Sequence, residues 1–217
     1  MLELERGFRS NGYELLGSPE VGIIHFFSKK PIRSLKELRS TRIWMWQGDP
    51  LGEAFSEAAG ISHIPLSIID VYTQLTTTHG SIDTVFNSPF GALAMQWHTK
   101  LKYASNIHFT NAIGSLVVSN EFYQKLPDDL KQLLKQTGQS TGKRINAIAR
   151  KDNQKSIDLL KESGIEFVWS WNKDEENEML IMRDKAAAIL SQSGYIPDEY
   201  FIKTRQMLFD FRSRLTD

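Results

Sequence analysis

The chain contains no cysteine, which excludes disulfides, thiolate nucleophiles and cysteine-based metal sites. It has no net charge either. Its 26 acidic residues balance 26 basic ones, so no overall field draws it to nucleic acid or to an anionic membrane surface. No apolar run approaches the ~20 residues that span a bilayer, and membrane insertion of its own is not expected. The opening Met-Leu-Glu-Leu-Glu-Arg-Gly is acidic and polar where a secretory leader needs a basic start and an apolar stretch. Nothing in the sequence as written directs export. The five histidines, His25, His63, His79, His98 and His108, have no metal-ligand spacing. Gly-x-Ser-x-Gly, phosphate-cradling and dinucleotide-binding glycine patterns are all missing. Neither a metal nor a cofactor is expected.

What is present is ordinary globular composition, 41% hydrophobic over 217 residues, enough for one large domain or two small lobes. The first half reads as α/β. Gly12–Leu16 and Val21–Ser28 are short apolar runs bounded by Gly, Ser and Pro, as strands are. Ser34 with Glu37 has capping-box spacing and opens a short helix over Leu35 and Leu38. Thr41–Trp46 is a strand, and Asp49 with Pro50 starts a helix that Gly60 stops after Ala59. The alternation continues with a strand over Ser62–Leu66 and a helix capped by Asp70 through about Thr77. A strand follows over Ile82–Phe86, then a helix over Phe90–Gln96 opened by Asn87-Ser88-Pro89. This order predicts βαβ units and a largely parallel sheet. Asn111–Ser119 reads as one further strand. From Pro127 to Glu162 the apolar residues keep a 3.6-residue period, giving one long helix or two abutting ones, with Gly138 and Gly142 weakening the middle. A strand over Ile165–Trp169 and helices over Asp174–Ser191 and Pro197–Leu215 close the chain.

Two tryptophans mark the candidate site. Trp44 and Trp46 lie two residues apart on a strand and therefore share one face, with Ile43 and Met45 on the other. The strand runs into Gly48-Asp49-Pro50, a loop leading to a helix, where ligands of α/β sheets sit. Two indoles there form a pocket wall, unless both are simply core. Asn87 and Ser88 occupy a second such loop. Asn87 either touches a ligand or caps its helix. Asp83, Ser88 and His98 supply the groups of a nucleophilic set, but no nucleophile turn presents Ser88. His98 beside Trp97 reads as structural, and Asp83 as a turn stabiliser. Tyr72 and Gln74 face either a cleft or solvent. A binding protein, not an enzyme, is the reading these residues favour.

The segments Lys30-Pro-Ile-Arg-Ser-Leu-Lys-Glu-Leu-Arg39, Arg42–Trp46, Asp70-Val-Tyr-Thr-Gln-Leu75, Gly80-Ser-Ile-Asp83, Asn87-Ser-Pro89, Val117-Val-Ser119 and Leu126-Pro-Asp-Asp-Leu130 follow a familiar order. Together they resemble the DctP-type substrate-binding receptors of tripartite ATP-independent periplasmic (TRAP) transporters. The resemblance implies a two-lobed periplasmic binding protein-like α/β fold with a long connecting helix. It places residues 21–112 and 164–217 in one nearly complete lobe, and 1–20 and 113–163 in the remainder of the other. That second lobe is expected to be N-terminally truncated, since such receptors carry a leader and roughly a hundred residues before the point matched by Met1. The implied function is capture of a small-molecule solute, usually a carboxylate, in the periplasm and its delivery to TRAP membrane permease subunits, with no chemistry on the solute. The alternatives are a truncated receptor fragment without transport function, or an interaction module needing a partner chain.

Family members commonly carry a carboxylate-binding arginine on the Arg42–Trp46 strand, and counting from Leu38 places it at Trp44. Arg42 matches the preceding basic position. An indole carries no charge and donates a single hydrogen bond, so the resemblance points away from dicarboxylate transport and toward a larger, flatter or more apolar solute. The expected ligand contacts are Trp44, Trp46, Asn87 and Ser88, with Asp49, Trp97 and Arg42 beside them.

Overall fold

A computed structural model describes residues 2–77, 80–170 and 172–214, with side chains from Leu4 onward. Packing divides the chain into two units. The first contains the residues up to Phe26, Phe86–Thr99 and Asn106–Glu166; the second contains Phe27–Val85, Lys100–Ser105 and the residues from Phe167 on. Residues 86–99 and 106–113 therefore fall in the same unit as the long helix.

In the first unit, helix α1 (Leu2–Ser10) precedes strand β1 (Tyr13–Gly17) and the start of β2 (Glu20–Ser28). The segment read as one strand over Asn111–Ser119 is instead two, β7 (Thr110–Ile113) and β8 (Leu116–Ser119). The break falls at Gly114, whose N–H donates to the Pro19 carbonyl at 2.8 Å. β7 pairs antiparallel with β2 and β8 antiparallel with β1. After the short α6 (Asn120–Lys125), α7 (Asp128–Glu162) is one unbroken helix of 35 residues. Of its two mid-helix glycines, Gly138 serves packing. A Cβ built on Gly138 would lie 2.6 Å from the Leu16 Cβ, so the helix touches β1 as closely as a backbone can. α5 (Pro89–Ala94) packs on the same helix.

An ion-paired carboxylate ties these elements together. Glu14 is almost fully buried on β1 and receives both Arg9 of α1, at 2.7 and 2.9 Å, and Lys135 of α7, at 2.9 Å. The Arg9 guanidinium, aided by Lys135, holds this carboxyl down at about 2 although burial works the other way.

The second unit contains α2 (Leu35–Arg39), β3 (Ile43–Trp46), α3 (Pro50–Ala59), β4 (His63–Leu66), α4 (Ile68–Thr76), the start of β5 (Thr84–Asn87), β6 (Tyr103–Ser105), β9 (Glu166–Trp169), α8 (Lys173–Gln192) and α9 (Asp198–Ser213). Its strand order is β4-β3-β5-β2-β6-β9. β3 is parallel to β4 and β5, as two successive βαβ steps require, while β2 and β6 are antiparallel. The sheet is thus mixed and not largely parallel.

Capping chemistry sets the helix ends. Asp49 accepts from the Leu51 N–H, Pro50 is the first helical residue, and Gly60 ends α3 in the left-handed region at φ 65°. Ser34 caps α2, but the Glu37 carboxylate takes the Arg33 N–H, so the capping box is only half formed. Asp70 does not cap α4. Ser67 holds the N-cap position without a side-chain capping bond, and Asp70 sits in the first turn, where its charge suits the helix dipole. On α8, Asn172 and Glu175 form a full capping box. The Glu175 carboxylate, also buried, accepts from the Leu35 N–H at 3.0 Å and the Trp169 indole at 3.3 Å, fastening α8 to α2 and β9. α3 packs on α8 through Ala54, Ala186 and Leu190.

Candidate functional site

Strand β3 is short because its sheet neighbours are short. Its register sets Trp44 against Ile64 and Trp46 against Leu66, the last residue of β4. Ile43, Trp44 and Met45 are all buried, so this strand is covered on both faces, as interior strands of parallel sheets are. The two indoles share a face, with ring centroids 5.9 Å apart. Their environments differ sharply: Trp44 is 2% exposed and Trp46 50%. The Trp44 indole N–H donates to the Leu66 carbonyl at 3.0 Å, which leaves Trp46 as the tryptophan with free surface at the carboxyl end of the strand. Asp49 is half-buried, and one of its carboxylate oxygens caps α3.

Arg42, at the other end of β3, is committed to the turn before β5. Its Nε donates to Asp83 at 3.1 Å, its Nη1 to the Gly80 carbonyl at 3.1 Å, and its backbone N–H also reaches Asp83. Gln74 closes the same turn by accepting from the Ser81 N–H and hydroxyl. Tyr72, on the adjacent α4, is exposed, and the Lys100 ammonium stands 5.6 Å from its ring centroid. Lys100 has no carboxylate partner among the described residues. Sequence pattern gave no reason to single it out, since a lone lysine in a loop has no periodicity.

In the first unit, Ser88 is 1% exposed and caps α5 by accepting from the Gly91 N–H at 3.1 Å. The Asn87 side-chain oxygen accepts from the Ser88 N–H at 2.8 Å, and Asn87 itself stays half-buried with its amide N–H₂ without a hydrogen bond among the described residues. Trp97 is 1% exposed, in a 3-10 turn after α5. His98 places its Nδ1 3.3 Å from the Ala92 carbonyl. Ser88, Asp83 and His98 are thus each bonded elsewhere, and no hydrogen bond joins them. His25 and His108 meet edge to face at 5.6 Å, and His79 lies outside the described residues. Among the described residues no cluster of three or more His, Asp or Glu side chains could hold a metal ion, and no helix is long and apolar enough to cross a membrane. The carboxylates held below their ordinary range, Glu14 by Arg9 and Glu20 by Arg150, belong to structural ion pairs of the first unit.

The model of the DctP family, described as bacterial extracellular solute-binding protein, family 7, matches residues 2–189. A curated relative, the 2,3-diketo-L-gulonate-binding periplasmic protein YiaO of Escherichia coli K12, is 24% identical over 141 residues, covering 65% of this chain and 42% of the relative. Among solved structures, a TRAP periplasmic solute-binding protein from Desulfovibrio salexigens with bound orotic acid superposes with a TM-score of 0.83 at 19% identity, covering 94% of this chain and 65% of that one. DctP7 of Bordetella pertussis, an extracytoplasmic solute receptor binding pyroglutamic acid, gives 0.77 at 18% identity, with 88% and 62% covered. The structural likeness at these identities establishes the fold. The chain spans about two-fifths of the length of the curated relative and under two-thirds of each of these structures.

Proposed function

This chain belongs to the DctP family of bacterial extracellular solute-binding proteins, and on that premise we propose that it captures a small organic acid in the periplasm for TRAP-type secondary transport. The family is one of receptors, not enzymes, and its match over residues 2–189 carries the reading. Relatives bind 2,3-diketo-L-gulonate, orotate and pyroglutamate, all small acids and two of them flat or cyclic.

The finer proposal concerns the solute's shape. The half-exposed Trp46 indole at the carboxyl end of β3 suits a ring or flat apolar body better than a short dicarboxylate, because a π face offers area and no charge. Candidate contacts on the second unit are Trp46 and Asp49. For the first unit taken by itself, the candidate contact is Asn87 through its side-chain N–H₂. Trp44, Ser88 and Trp97 are closed into the protein and act by holding those loops, and Arg42 acts by holding the turn at Asp83. TRAP membrane permease subunits are the proposed partners.

A thermal-shift screen over aromatic, keto-acid, sugar-acid and dicarboxylate compounds tests the reading. Stabilisation by one or more flat or cyclic acids supports it. No response to any acid rules it out.

A further inference from the structure

Helix α9 buries none of its 16 residues, although several are large and apolar. Two of its side chains tie it to α8: Asp198 accepts from the Ser191 hydroxyl, and Arg205 stands 3.7 Å from Asp184. They lie seven residues apart, so they mark the face of α9 that is turned to α8. Tyr200, Thr204, Met207 and Phe211 form a stripe on another face, spaced four, three and four residues apart. At 3.6 residues per turn that stripe is centred roughly 140° round the helix from Asp198 and Arg205. Its large members are exposed, Met207 at 63% and Phe211 at 61%. Ile202 and Phe209 are exposed too, but they lie beside the face already tied to α8.

A stripe that recurs every 3.5 residues is the repeat by which two helices interlock side chains along one seam. The residues flanking it say which helix fits. Let a second α9 run antiparallel, about a two-fold axis between Thr204 and Met207. Tyr200 then meets Phe211 of the second copy and Thr204 meets its Met207, so a small residue faces a long one at the centre. On one flank Phe201 meets Leu208 of the second copy. On the other, Lys203 meets its Asp210, an opposite-charge pair that the two-fold axis makes twice. A parallel pair would set Lys203 beside Leu208 and lose that match. The chain has no net charge, so two copies do not repel at long range.

We propose that the Tyr200–Phe211 face of α9 is a docking surface for a second copy of this chain, joined as an antiparallel helix pair. This goes beyond the receptor reading and does not depend on it. A helix of this length is about 24 Å long. One such pair falls short of the ~1,200–2,000 Å² of stable interfaces, so the dimer is weak, with a Kd on the order of 100 µM.

Sedimentation equilibrium from about 10 µM to about 1 mM chain, a range that brackets such a Kd, tests the proposal. The proteins are the wild type, Phe211→Glu, Ile202→Glu, Lys203→Asp, Asp210→Lys and the double reversal Lys203→Asp with Asp210→Lys. All four positions are exposed, so the fold is expected to survive each change. Phe211→Glu should weaken the dimer at least about tenfold and Ile202→Glu by no more than about threefold. Each single charge reversal should weaken it by roughly three- to tenfold, and the double reversal should recover it to within about threefold of wild type. That recovery cannot come from damage to the fold. A wild type that stays monomeric throughout overturns the proposal, as do assemblies larger than a dimer. A dimer indifferent to Phe211→Glu, or weakened as much by Ile202→Glu, overturns the assigned face. A double reversal no stronger than the single ones overturns the antiparallel pairing.

Discussion

The indole N–H of Trp44 donates to the Leu66 carbonyl at 3.0 Å, so a side chain adds to the backbone ladder that joins β3 to β4. The same carbonyl also takes the Gln47 N–H, at 3.4 Å. Two tryptophans on one strand face thus divide their labour: Trp44 is structure, Trp46 surface.

That division predicts opposite effects of two substitutions. Trp44→Phe removes the donor and leaves a void, and should lower stability by about 1–3 kcal/mol in urea melts. Trp46→Ala, at an exposed site, should change stability by no more than about 0.5 kcal/mol and weaken solute binding in a titration. A stable Trp44→Phe, or a Trp46→Ala that binds as well as wild type, would contradict the assignment.

The glycines of α7 give a second paired test. In an exposed helix, Gly→Ala is worth up to about 1 kcal/mol of stabilisation. At Gly142 a Cβ would meet nothing nearer than 3.8 Å, so Gly142→Ala should raise the melting temperature. At Gly138 it would meet the Leu16 Cβ at 2.6 Å and the Leu16 carbonyl oxygen at 3.0 Å. Gly138→Ala should therefore destabilise, by about 1–3 kcal/mol, despite its better helix propensity.

Glu14 makes stability depend on pH in a definite direction. Its folded pKa of about 2 lies below the ordinary 4.5, so its contribution is present in full above the ordinary value and is lost as pH falls toward 2. Allowing for the exposed side of Arg9, the contribution is on the order of 2 kcal/mol. The stability difference between wild type and Glu14→Gln should be constant from about pH 5 to 7 and shrink steadily below that. A difference unchanged down to pH 2 would show that the ion pairs contribute nothing.

Much of this fold is legible in local chemistry. Asp49, Pro50 and Gly60 mark both ends of α3, and the apolar period carries α7 through its two glycines. These signals read well because each is settled within one turn of chain. The break at Gly114 between β7 and β8 did not show, because alternating residues on either side continue one strand pattern and only the Pro19 carbonyl, far off in sequence, reveals it. Nor did the Glu14 cluster, which draws on α1, β1 and α7.

At the candidate site the same limit holds. Alternation puts Trp44 and Trp46 on one face, and they are. It is silent on exposure, because that depends on β4 ending at Leu66.

The central claim is reversible capture of an intact organic acid, and native mass spectrometry tests it most directly. After incubation with orotate, pyroglutamate or 2,3-diketo-L-gulonate and removal of excess, the chain should carry about one acid molecule. That molecule should be recovered with unaltered mass when the protein is denatured. A chain that carries none of these or any other small acid, or that releases a chemically changed product, would contradict the receptor reading.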